Sequence, residues 1–406
     1  MTNSLSRFAP ELRVGNQSNC RVQLMLQSIC RAPSAIVLYA IGMNMLAATA
    51  SAQVLFGSPV SSPDGPVGAL FEVEAGTVTA VPTGLPNNQF PGLSPSGTRV
   101  TISSPDPAQP LEPSWDLFEF DRQTGQTRRL VDNVTQPQPD GGFIFFQPLF
   151  SQLSGDGQLV AWVNQVSSNN PDQQGGSFRI LHVIRSTDGF PLSQVEIGQG
   201  NAVDFYQSEF VGLAWWPGQQ VFVAPAYVPA NGHQAAGLVV FGHVGNGQFA
   251  RVGQLTQPSV SQLPCPPCGF MTETHAWPAF SPDGQSLAFF RIFYVDPLLT
   301  QPAQADLVVL DLGGGSGGIQ VASFVPGVFP AGLSWSRDGG QLLFSVADQA
   351  QQGGLFLPQA NPATAVLRTV SASGGSIGQI PGAPMGYMPA GIPLPDRIFR
   401  SRFGGD

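Results

Sequence analysis

No lysine occurs in the 406 residues of the chain, and all 17 basic residues are arginine. That absence removes Schiff-base and lysine-nucleophile chemistry from consideration. Charge of either sign is scarce, at 11% of residues against about 25% in ordinary globular chains. The scarcity is not that of a disordered polymer, because 42% of the residues are hydrophobic and can fill a large core. Cysteine is rare too, with four in all.

What the chain has in plenty is turn formers, 48 Gly and 38 Pro, enough to punctuate many short strands and too many for a helical protein. Its N-terminal part reads as an export signal. Ala35 to Ala48 form an apolar run after Arg31, and Ala50-Ser51-Ala52 supplies a small-residue cleavage site before Gln53. The run is shorter than the roughly 20 residues a membrane span needs, so the expected product is a soluble chain, periplasmic or secreted, with no stable membrane insertion; a retained anchor is the alternative. Met25 is a candidate for the true start. Residues 53–406 then form a single domain.

Residues 1–52 carry four arginines and one glutamate, so their loss leaves 13 basic and 25 acidic residues and a formal charge of −12. A chain that negative lacks the cationic footprint of a nucleic-acid binder. Cys265 and Cys268 in "LPCPPCGF" are the two cysteines that remain, and in an oxidising compartment the simplest expectation is a local disulfide. A redox site wants a helix after the first cysteine, and a metal site with Glu273 and His275 lacks a fourth ligand. No cofactor motif is found.

Internal repeats organise the rest. "PGLSPSGTRVTIS", "PLFSQLSGDGQLVAWV", "VGLAWWPGQQVFVA", "AWPAFSPDGQSLAFF" and "AGLSWSRDGGQLLFSV" each set a polar turn between two apolar runs. Their turn glycines, Gly97, Gly157, Gly218, Gly284 and Gly339, are 60, 61, 66 and 55 residues apart. Each is followed by a second pair of strands, such as "ADLVVLDLGGGSGGIQVASF". Four meandering strands per repeat is the content of one propeller blade. Nearly continuous apolar strands such as "SLAFF" suit blades covered on both faces.

The S-P-D-G turn between an aromatic-ended strand and "LAF" resembles the WD40-like repeat of TolB-type propellers. The match is best at Phe280 to Phe289, good at Leu333 to Phe344 and degenerate at Trp215 to Val223, where Pro217-Gly218 replaces Asp-Gly. The resemblance implies an all-β propeller in an exported protein; the 354 residues from Gln53 onward, at about 60 per repeat, make six blades and leave no room before the first repeat for the small α/β domain of TolB proper. Five inner strands are evident, and "MPAGIPLPDRIF" predicts the sixth, closing the ring with "VLFGSP", "ALFEVE" and "TVTAV" from the other terminus. Ser62 to Gly65, also "SPDG", belongs to a connection and not to an inner hairpin.

In a meander, turns one and three of each blade lie at one end of the ring, and turn two and the blade-to-blade link lie at the other. The second set reads as long loops, among them Asp132 to Gln147, Gln165 to Ser177, Gln199 to Phe210, Pro225 to Ala236, Gln257 to His275 and Tyr294 to Gln304. Long loops on a rigid scaffold are where recognition usually sits. The candidate binding residues there are Trp115, Tyr206, Tyr227, Glu273, His275 and Tyr294, whose aromatic and polar mix suits contact with a protein or an envelope polymer. The expectation is a monomeric binding or scaffold module. Its alternative is a propeller hydrolase or lyase with a channel-bound metal, but the inner strands "GLS", "GLAWW", "WPAFS" and "AGLSW" offer almost no acids or histidines for it, and no G-x-S-x-G elbow or sialidase-type Asp box occurs.

Overall fold

The computed structural model describes residues 53–62, 65–109, 113–139, 141–168, 177–198, 211–231, 233–263, 269–295, 302–314, 318–348, 360–383 and 385–391. The expected export segment and the Cys265/Cys268 pair lie outside them.

The first blade contains β1 (Val54–Ser62), β2 (Gly65–Glu74) and β3 (Thr77–Ala80). The second is β4 (Gln89–Leu93), β5 (Arg99–Ser104), β6 (Asp116–Asp121) and β7 (Gln126–Val131). The third holds β8 (Gln136–Pro137), β9 (Phe143–Leu153), β10 (Leu159–Ser168), β11 (Ser177–Arg185) and β12 (Pro191–Gly198). The fourth is β13 (Ala214–Trp215), β14 (Val221–Ala230), β15 (His233–Gly245) and β16 (Gln248–Gln254). The fifth holds β17 (Val260–Gln262), β18 (Phe270–Phe280), β19 (Ser286–Val295), β20 (Pro302–Asp311) and β21 (Ile319–Phe324). The sixth is β22 (Phe329–Trp335), β23 (Gln341–Ala347), β24 (Val366–Ser371) and β25 (Gly378–Gln379). The last strand, β26 (Tyr387–Gly391), returns to the first sheet, whose order is β26-β1-β2-β3. All described pairings are antiparallel meanders, which makes a six-bladed propeller closed by strands from both ends of the chain, as the repeat spacing predicts.

The polar turns of the repeats are corners of inner hairpins. In the fifth blade the Gly284 N–H donates to the Ser281 carbonyl at 2.8 Å, the Ser286 N–H to Ser281 Oγ at 2.9 Å, and Ser281 Oγ to Asp283 Oδ1 at 2.6 Å. Gly284 has φ +70°, which a side chain would strain. The same bonds recur at Ser154-Asp156 and Ser336-Asp338, both at 2.6 Å. Ser62 to Gly65 instead joins β1 to β2, the second and third strands of its blade.

Blades bury their faces against each other. Leu55 and Leu70 of the first blade meet Val100, Ile102 and Phe120 of the second, and Leu117 and Leu130 meet Trp162 and Ile184 of the third. A larger cluster runs through the third to sixth blades and includes Phe222, Phe241, Phe290 and Phe344. Inner-strand tryptophans fasten neighbours: Trp215 Nε1 donates to the Gln152 carbonyl at 2.9 Å, and Trp335 Nε1 to the Ala279 carbonyl at 2.8 Å.

Several stretches that read as long loops are strand. Pro225 to Ala236 is the end of a continuous ladder in which Tyr227 faces Ala236 and Ala230 faces His233. Gln257 to His275 contains β17 and the first half of β18, which pair with each other. The two extra strands, β8 and β17, come from blade-to-blade links that fold back onto an overlong inner strand. Prolines and glycines made these stretches look irregular, yet alternate ladder positions of an antiparallel pair require no N–H.

Replacing Trp335 by Ala is expected to lower the unfolding free energy by about 3–5 kcal/mol. Trp335→Phe keeps the ring but strands the Ala279 carbonyl, and costs about 1–3 kcal/mol. Denaturant midpoints at constant m-value measure both. The turn aspartates make a second test. The Ser154, Ser281 and Ser336 hydroxyls, aided by backbone N–H groups, hold Asp156, Asp283 and Asp338 below the usual carboxylate range. The unfolded chain therefore takes up protons first as pH falls, so the turns contribute fully above about pH 4 and lose that contribution as pH drops through the native values. A triple Asp→Asn variant should melt lower at neutral pH and show a shallower acid-side decline below about pH 4.

Candidate functional site

Each inner strand, or in the fourth blade the segment leading into it, carries one residue of positive φ at the same place in its repeat. These are Phe90 (+50°), Phe150 (+46°), Gly212 (+86°), Trp277 (+54°), Gly332 (+144°) and Met388 (+48°). The ladder to the next strand slips there in the first, second, third, fifth and sixth blades, so each of those inner strands is bulged. Bulky residues in the left-handed region cost about 1–2 kcal/mol each.

The bulges bring side chains to the axis of the ring. Phe90 and Phe150 meet edge to face with centroids 5.2 Å apart at 72°, and Phe150 meets Trp277 at 5.1 Å and 82°. Phe150 belongs to the third blade and Trp277 to the fifth, so they touch past the fourth, whose equivalent residue is Gly212. A Cβ on Gly212 would lie 2.9 Å from Trp277 Cα. The Trp277 N–H donates to the Val211 carbonyl at 2.8 Å. Phe90 and Met388 pack half-buried against the same cluster.

On the turn side of these residues lies a cavity of about 440 Å³ lined by all six inner strands. Its wall includes Pro91, Ser151, Leu213, Pro278, Leu333 and Pro389, and Phe150, Trp277 and Met388 face it from below. Gln152 Oε1 accepts the Trp215 N–H at 2.9 Å, and its Nε2 makes no hydrogen bond to the described residues. Ser334 Oγ accepts the Gly391 N–H at 3.2 Å. Of the described residues that line the cavity, Arg337 alone is charged.

The described residues among those singled out from sequence belong to the other end, and they are spread around it. Trp115, half-buried, precedes β6 of the second blade; its N–H donates to the Phe146 carbonyl at 2.8 Å and its carbonyl accepts Asn133 Nδ2 at 2.7 Å. Nearby, Arg129 pairs with Asp106, Asp116 and Asp132 at 3.0, 3.1 and 3.2 Å. Burial pushes the Asp116 carboxyl above its usual range despite the Asn133 and Arg129 bonds. Tyr227, half-buried in β14 of the fourth blade, accepts Arg251 Nη1 on its carbonyl at 3.0 Å.

Glu273 and His275 come together in the fifth blade, while Tyr294 faces Thr272 on the other side of the same sheet. His275 is 3% exposed and Tyr294 1% exposed, so both are interior residues of the extended β18–β19 ladder. His275 bridges Thr256 Oγ1 at 2.7 Å and Glu273 Oε1 at 2.9 Å, and Glu273 Oε2 accepts Ser259 Oγ at 2.6 Å. Burial raises the Glu273 carboxyl, but the His275 and Ser259 bonds outweigh it and hold the group below its ordinary value. This chain of bonds ties the link before β17 to the inner strand. Tyr206 lies outside the described residues, as do Cys265 and Cys268. Arg179, fully buried in β11, has no acceptor for its guanidinium among the described residues, and burial lowers it to about 9.

Neither the axial residues nor the cavity is among the sequence expectations. A signal does exist, a bulky residue, then proline, then a small residue, at Phe90-Pro91-Gly92, Trp277-Pro278-Ala279 and Met388-Pro389-Ala390.

No family model matches the chain, and no curated protein matches it. Among solved structures, TolB from Acinetobacter baumannii is similar with a TM-score of 0.51 at 12% identity, covering 85% of this chain and 67% of that one. A TolB-type protein from Agrobacterium tumefaciens gives 0.42 at 11% identity over 85% of this chain and 99% of that one. The acylaminoacyl peptidase of Pyrococcus horikoshii gives 0.43 at 7% identity over 80% and 44%. The likeness to TolB is one of fold: this chain shares its propeller architecture.

Proposed function

We propose that the protein is an exported binding or scaffold module that engages a protein or a cell-envelope polymer through the end of the ring bearing the blade-to-blade links and the extended hairpins. Four large apolar side chains at that end, three on the links and Phe143 at the start of β9, support this reading. Val134 is 64% exposed, Phe143 45%, Val325 71% and Met385 49%. Exposed apolar groups on segments anchored to a rigid scaffold suit recognition of another molecule. The half-buried Trp115 and Tyr227 add aromatic groups of the kind that dominate protein contacts.

Export to the periplasm or beyond rests on the apolar run Ala35 to Ala48 and the small-residue site before Gln53. A monomer is the expected state, because ring closure leaves neither the first nor the last blade with an open side.

Immobilised protein is expected to retain one envelope component reproducibly. Trp115→Ala, Tyr227→Ala, Val325→Asp and Met385→Asp, each confirmed folded by circular dichroism, should weaken that retention by about ten-fold or more for at least one of the aromatic positions. Unchanged retention in all four variants sinks the assignment of this face.

A further inference from the structure

We propose that the cavity at the turn end of the channel is a binding site for a small, uncharged aromatic molecule, separate from the face assigned above. Its volume of about 440 Å³ falls within the roughly 300–1,000 Å³ of small-molecule sites. Its walls are more apolar than polar, with Pro91, Leu213, Pro278, Leu333 and Pro389 contributed by five different blades.

Phe150 and Trp277 select an aromatic occupant. They already stand edge to face at 5.1 Å, and both line the cavity, so a planar ring placed on them extends an aromatic array in the geometry such rings prefer. Two glycines let neighbouring inner strands close in at the floor of the cavity. Four of the six axial positions hold bulky side chains, whereas Gly212 and Gly332 hold none, and a Cβ on Gly332 would lie 2.4 Å from Met388 Cα.

Charge argues for a neutral ligand. Arg337 stands at the mouth, but the turns that form the same rim carry Asp283 and Asp338, ionised and bonded to Ser281 and Ser336. An anion drawn to Arg337 meets those carboxylates, and a cation finds no acid among the described wall residues. Burying an unpaired charge against prolines and tryptophans is costly. Polar recognition falls to Gln152, whose Nε2 can donate to a hydroxyl or carbonyl of the ligand.

Equilibrium dialysis of the full-length protein against 1-naphthol, 1-naphthoate, 1-naphthylmethylammonium and decanol tests this. The expected result is saturable 1:1 binding of 1-naphthol, with the two charged probes and decanol each weaker by about ten-fold or more. Leu333→Trp, which fills the cavity, should weaken 1-naphthol by about ten-fold or more, and Leu333→Phe serves if that variant does not fold; Arg337→Gln should leave it within about two-fold. Three outcomes overturn the proposal: no saturable 1-naphthol binding, tighter binding of 1-naphthoate or decanol than of 1-naphthol, or 1-naphthol affinity unchanged in a folded Leu333 variant. Failure here leaves the link-end face untouched, because its variants lie at the opposite end of the ring.

Discussion

A blade cannot bury both faces until it has a neighbour on each side, so the whole ring depends on the pairing of β1 with β26. Val54 faces Gly391 and Leu55 faces Ala390 across that seam, and a bulge follows before Gly57 meets Tyr387. The Tyr387 ring lies where a Cβ on Gly57 would stand, 2.6 Å from ring carbons. Its hydroxyl reaches the Asn88 carbonyl at 3.4 Å, in the link to the second blade, and burial pushes the phenol far above its ordinary value. With the seam open, Val54 and Phe56 lose Leu343 and Leu367 of the sixth blade. Each such residue contributes about 1.5–3 kcal/mol by burial, so closure and the last blade interface are one cooperative event.

Closure also sets how close the six inner strands come to the axis. The bulge at five of them is the structural response, because an extra residue turns the strand and re-aims the residue there toward the centre. The left-handed conformation costs about 1–2 kcal/mol at a non-glycine residue, and burying an aromatic or methionine side chain returns about 1.5–3 kcal/mol. The two nearly balance, which explains why bulky residues are tolerated at Phe90, Phe150, Trp277 and Met388. Sterics set the other two positions. With Trp277 leaning past the fourth blade to reach Phe150, a side chain at residue 212 has nowhere to go.

How much of this was legible in the sequence differs from element to element. The blade count and the strand borrowed from the C-terminal end were readable, since a turn glycine returns at every blade from the second to the sixth and "MPAG" repeats the pattern of "PAGLSW". The extended hairpins were not. "VFVAPAYVPANGHQAAGLVVFG" is punctuated by two prolines and three glycines, and only the tertiary ladder shows that Pro225, Pro229, Gly237 and Gly242 are paired strand positions. That same extension explains why Tyr294 and His275, placed in loops by the sequence, are interior: they are ladder residues packed against a neighbouring layer. Positive φ at Phe, Trp or Met is written in no residue type, so the axial cluster could be suspected only from its recurring proline.

The repeated motif turns out to be the part of the chain with the least left to offer a ligand. In each Ser-x-Asp-Gly turn the serine hydroxyl is held by the aspartate and by a backbone N–H, and the aspartate takes a second backbone N–H, so its polar groups are consumed by the corner they build. Agreement among repeats therefore reports a folding constraint. Departures from the repeat are what distinguish one blade from another: glycine at two of six axial positions, Gln152 where other blades carry Gly92, Ala214 or Ala279, and Arg337 where Pro95 and Pro282 occupy the same turn position. A perfectly six-fold ring would present either a plugged axis or an open pore. The cavity exists because this one is imperfect, and its chemistry is set by the residues that break the pattern.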